Sequence, residues 1–114
     1  MALLSIFLSL FIINPSSNEL ITIGYDSFDK KAYYATFASN DINTVNAELK
    51  ILKSNPSLLA YEGALLMKKA DLVGNPKDKL SFMKEGKNKL ETTISKNPSN
   101  IEYRFLRYMI QDNA

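Results

Sequence analysis

Residues 55–67, NPSLLAYEGALLM, and residues 97–109, NPSNIEYRFLRYM, carry one pattern twice, 42 positions apart. Superposing Pro56 on Pro98 lays Asn55 on Asn97, Ser57 on Ser99, Tyr61 on Tyr103 and Met67 on Met109, and upstream it lays Leu52 on Ile94. Proline suits the first turn of a helix, where its missing N–H removes no internal bond, and the asparagine before it is a capping residue. An aromatic one turn into the new helix and a large aliphatic one turn before the proline are what a repeated helix-turn-helix unit requires. Such a unit cannot bury its apolar face alone, so neighbours stack.

Working outward, the same punctuation divides the chain into five helices and no strand. Residues 25–40 form the first, with Phe28, Ala32, Ala35 and Phe37 beside Tyr33 and Tyr34, started by Asp26 or Ser27 and ended near Asn40. Asp41 caps the second, in which Ile42, Val45, Leu49 and Leu52 recur at intervals of three and four until Ser54-Asn55-Pro56. The third runs from Pro56 to about Val73 through Leu58, Tyr61, Leu65 and Leu66, and Gly74-Asn75-Pro76 ends it. The fourth, Pro76 to about Lys96, is long and charged, with Leu80, Met83, Leu90 and Ile94 on a thin apolar stripe. The fifth starts at Pro98 or Ser99 and carries Ile101, Phe105, Leu106, Met109 and Ile110. The expected core is Phe28, Ala35, Val45, Leu49, Leu52, Tyr61, Ala64, Leu65, Leu80, Leu90, Ile94, Phe105, Leu106 and Met109.

Residues Gly86, Leu90, Thr93, Ile94 and Pro98 fall at the spacing of the second helix of a tetratricopeptide repeat, with Thr93 where alanine is usual. Tyr61-Glu62-Gly63-Ala64 is similar to the part of the first helix where a small residue admits close packing. Gly63 and Gly86 lie 23 residues apart, against about 12 in a standard 34-residue repeat. The chain therefore resembles a divergent repeat with a lengthened hairpin over residues 56–98. The resemblance implies an all-α fold of stacked antiparallel hairpins and a non-catalytic module that binds a protein or peptide, without a cofactor. An ordinary antiparallel helix bundle would show the same short-loop signals and stays open as the alternative.

At 114 residues the chain has room for one compact core, and 46% hydrophobic with 23% charged residues is ordinary for a folded domain. The lack of cysteine and histidine removes disulfides, thiol nucleophiles, histidine-based catalytic pairs and Cys- or His-ligated metals. Residues Ala2 to Ile13 include ten apolar residues among twelve, followed by Asn14, Pro15 and two serines. That run is too short to span a bilayer, which takes roughly 20 residues as a helix. Its length fits the apolar core of a secretory signal over residues 1–18, placing residues 19–114 in the bacterial periplasm or at the cell surface. A buried terminal helix, and with it a cytoplasmic protein, is the other reading.

Charge is uneven: residues 1–67 carry four lysines against six acids, and residues 68–114 ten basic residues against six acids. Lysines 68, 69, 77, 79, 84, 87, 89 and 96 alternate with Asp71, Asp78, Glu85 and Glu91, which reads as a solvated face. Nucleic-acid binding would need clustering on one side with aromatics or arginine, so no nucleic-acid partner is expected, and a weak nucleic-acid binder acting through the basic second half stays only as an alternative. Tyr33, Tyr34, Tyr61, Tyr103 and Tyr108 suit the lining of a groove, and Arg104 and Arg107, one turn apart, suit a carboxylate clamp. Tyr103, Arg104, Arg107 and Tyr108 are therefore the candidate partner-binding residues. A small hydrolase or transferase is the contrasting class. Glu62, among apolar neighbours, is its best acid, but no second carboxylate lies beside it, so no catalytic residue, metal site or cofactor is expected. The apolar groups of the fifth helix spread around much of its circumference, from which an incomplete stack is expected, completed by a partner, by further repeats or by self-association.

Overall fold

The computed structural model describes residues 28–112, and the expected signal over residues 1–18 lies outside them. The chain divides into two units, residues 1–31 and 32–114, and the second carries the fold discussed below. The fold is all-α, with no strand among the described residues: α1 (Lys30–Ser39), α2 (Ile42–Lys53), a 3-10 turn (Pro56–Leu58) leading into α3 (Leu59–Leu72), α4 (Pro76–Lys96) and α5 (Ile101–Asp112). Small polar side chains set these bounds. Asn40 ends α1 in the left-handed region, at φ 54°, a conformation asparagine tolerates better than most residues. The Asp41 carboxylate accepts the Thr44 N–H at 3.2 Å, Asn55 accepts Ser57 N–H at 3.0 Å, and Asn75 accepts Lys77 N–H at 2.8 Å. Each satisfies an N–H that the first turn of its helix leaves unpaired.

At the fifth helix the expected start is corrected. Asn97 and Pro98 lie in a turn closed by the Asn100 N–H on the Asn97 carbonyl, and it is Asn100 that caps, accepting the Tyr103 N–H at 3.0 Å. The repeat in sequence is thus not a strict repeat of backbone.

Two glycines fix how α3 and α4 meet. A Cβ on Gly63 would stand 2.7 Å from the Gly86 carbonyl oxygen, and one on Gly86 would stand 2.5 Å from that of Gly63, so only glycine lets the backbones touch. The pairings Glu62 with Lys89, Lys69 with Phe82 and Ala70 with Lys79 rise on α3 as they fall on α4, which makes the pair an antiparallel hairpin. By the same reasoning α1 runs parallel to α3, since Tyr33 meets Tyr61 and Phe37 meets Lys68, and so does α5, since Tyr61 meets Glu102 while Lys68 lines one cleft with Phe105 and Met109.

The core centres on α3, whose Ala60, Tyr61, Ala64, Leu65, Leu66 and Ala70 are buried beside Val45, Leu49, Leu52, Leu90, Ile94 and Leu106. Three expected core residues lie outside it. Leu80 is 56% exposed and Phe105 47% exposed, and Ala35 is exposed. In α1 the inward face is Tyr33, Thr36 and Phe37, one residue out of phase with the stripe through Ala32 and Ala35. Phe28 and Met109 are half-buried. On α5 Leu106 is buried, whereas Ile101 and Tyr108 are largely exposed.

Candidate functional site

Where α1, α3 and α5 run side by side, their side chains form a tyrosine cluster around one carboxylate. The Tyr61 hydroxyl donates to Glu102 Oε1 at 2.6 Å and the Tyr34 hydroxyl donates to Oε2 at 3.0 Å, so one side chain of α5 ties down both neighbouring helices. The Tyr33 hydroxyl donates to the Tyr61 carbonyl at 2.8 Å. The rings meet edge to face, with centroids 5.2 Å apart for Tyr33 with Tyr34 and with Tyr61, and 6.2 Å for Tyr61 with Tyr103, as the aromatic quadrupole favours. Burial, and after it the Glu102 carboxylate at their hydroxyls, pushes the phenols of Tyr34 and Tyr61 far above the ordinary tyrosine range. Burial does the same to Tyr33, with its charged and phenolic neighbours adding to it. All three therefore act as neutral donors at neutral pH.

Beside this cluster opens a cleft of about 560 Å³ lined by Tyr34, Phe37, Ala38, Asn40, Lys68, Phe105 and Met109. Phe105 and Met109 follow Glu102 at three and seven positions, hence on one face of α5, and the Phe105 ring lies 6.1 Å from that of Tyr34. The Lys68 ammonium stands 5.7 Å over the Phe37 ring and Asn40 supplies an exposed amide at the mouth. The cleft thus has aromatic and thioether walls with a few polar groups, the usual make-up of a site that takes an organic ligand or a side chain.

The four residues singled out from sequence do not converge. Tyr103 packs on Tyr61 and lines a separate cleft of about 370 Å³ with Pro56, Thr93 and Asn97. The Arg107 guanidinium donates to Glu91 at 2.9 Å, so it is bound within the chain instead of forming a pair with Arg104. Arg104 and Tyr108 are exposed. Of the five tyrosines, Tyr34 alone lines the larger cleft. Glu102, Phe105, Met109 and Lys68 lie outside the residues expected from sequence to bind a partner, although the spacing of 102, 105 and 109 places those three along one face of α5. Glu62 is buried but faces the Lys89 ammonium at 3.4 Å, a paired carboxylate and not an isolated acid. No group of potential metal ligands occurs among the described residues, and none of their helices is long and apolar enough to cross a membrane. No protein family, characterised protein or solved structure matches the chain in comparison.

Proposed function

We propose that the protein is a non-catalytic peptide-binding module built from tetratricopeptide-like hairpins, exported to the periplasm or cell surface, and that the cleft of α1, α3 and α5 takes a segment of a partner protein. The observation that carries this reading is that α1, α3 and α5 line one open cleft, α1 with Tyr34 and Phe37, α3 with Lys68, and α5 with Phe105 and Met109. Support for the repeat relationship comes from the Gly63–Gly86 contact, which puts the two small residues of the resemblance face to face. The occupant suited to these walls is an extended peptide with a large apolar or aromatic side chain, its backbone within reach of the Asn40 amide and the Lys68 ammonium.

Panning a display library of nine-residue random peptides on the full chain tests the reading. Enriched peptides should share an aromatic or large aliphatic residue and should lose binding to the double variant F105S/M109S, whose altered side chains are partly exposed and leave the core intact. Enriched peptides that bind this variant as well as the parent would refute it.

A further inference from the structure

A second cleft, of about 350 Å³, opens between α2, α3 and α4 and is lined by Asn46, Leu49, Lys50, Lys53, Leu66, Lys69, Phe82 and Glu85. Asn46, Lys50 and Lys53 follow one another at intervals of four and three and so form a single stripe on α2. Lys69 reaches in from α3, its ammonium 4.3 Å from the centroid of the Phe82 ring. Among the described residues, no carboxylate lies within ion-pair distance of Lys50, Lys53 or Lys69. Glu85, the one acid of the lining, is within 3.7 Å of Lys89, which also contacts Glu62. Leu49 and Leu66 are buried residues on the lining, so a lysine-rimmed opening lies over an apolar wall.

We propose that this cleft docks an acidic peptide segment of a partner protein, one apolar side chain seated between Leu49, Leu66 and Phe82 and flanking carboxylates on Lys50, Lys53 and Lys69. The position of Lys50 and Lys53 in the last turn of α2 suits the negative end of that helix, but it does not account for Lys69 and Phe82 on the same opening. A compact phosphate is a poorer occupant. No helix N-terminus lines the cleft to offer free backbone N–H groups, and lysines set one turn apart on α2 spread their charge along a line instead of closing on a point. A peptide with acids on either side of an apolar residue matches both the line of charge and the apolar wall.

The test titrates the full chain with an acetylated and amidated Asp-Glu-Leu-Asp-Glu peptide at low salt, followed by NMR. Binding should shift the Asn46 amide and Phe82 ring signals, and K50Q/K53Q, both exposed positions, should weaken it about tenfold, the yield of two partly exposed ion pairs. The control K84Q/K87Q removes the same charge from the opposite flank of α4 and should leave affinity unchanged. Equal weakening by the two double variants would overturn the proposal, because charge alone would then attract the peptide. So would undiminished binding of the probe with serine in place of leucine, displacement by an equal concentration of pyrophosphate, or no binding at millimolar peptide.

Discussion

Removing the Glu102 carboxylate should loosen α5 from the two helices it is tied to. The Tyr61 hydroxyl sits 2.6 Å from Oε1, the length of a charge-assisted O–H···O⁻ bond, and the Tyr34 hydroxyl sits 3.0 Å from Oε2, a weaker contact on a more exposed ring. Bonds to charged acceptors contribute about 1.5–3 kcal/mol each, so with partial burial we take about 2 for Tyr61 and about 1 for Tyr34. E102A should therefore cost about 3 kcal/mol, a fall of roughly 12–24 °C in melting temperature for a domain of this size. E102Q keeps an oxygen acceptor and an N–H that a phenol oxygen can accept, and should cost about 1 kcal/mol. Urea denaturation followed by circular dichroism gives both numbers, and a double-mutant cycle with Y61F should return a coupling of about 1–2 kcal/mol. A loss under 0.5 kcal/mol for E102A, or no coupling to Y61F, would refute the view that this carboxylate fixes the wall of the larger cleft.

G63A should destabilise by about 3 kcal/mol, since its Cβ meets the backbone of Gly86 and Leu90 at 2.7 Å, while G74A, with nothing within 4 Å, should be neutral or gain a few tenths in the same melts. L90A, at a side chain 1% exposed, should cost about 2–5 kcal/mol, whereas L80A, at one 56% exposed, should cost under about 1 kcal/mol by chemical denaturation. Because folding raises the phenol pKa of Tyr33, Tyr34 and Tyr61, their contribution is complete below the unfolded value of about 10 and declines as pH rises above it. Urea midpoints measured from pH 9 to 11.5 should fall, and fall less steeply in Y61F; equal slopes would contradict the assignment.

What the sequence discloses and what it hides follow from the range of the interactions. Helix ends are set within three or four residues, so Asn75-Pro76 and Asn97-Pro98 bracket α4 at the bounds the structure shows. The start of α5 is ambiguous because Asn97, Ser99 and Asn100 are all good caps within four positions, and only the Asn100–Tyr103 bond decides among them. In α1 apolar or aromatic residues occupy 32, 33, 34, 35 and 37, leaving the phase of the buried face undetermined until Tyr33 finds Tyr61. The tyrosine cluster joins residues 41 and 68 positions apart, beyond any helical period. Its central carboxylate is further disguised: an acid in the first turn of a helix already has a sufficient local reason in the macrodipole, so nothing in the sequence marks Glu102 as more than a helix start. Arg104 and Arg107, the only arginines in the chain, draw the eye instead, yet Arg107 is held by Glu91 across to α4. Of the two residues that stand out by type, Arg107 ties the last helix to α4 and Arg104 is exposed, while the residue that organises the cleft has an ordinary type at an ordinary position.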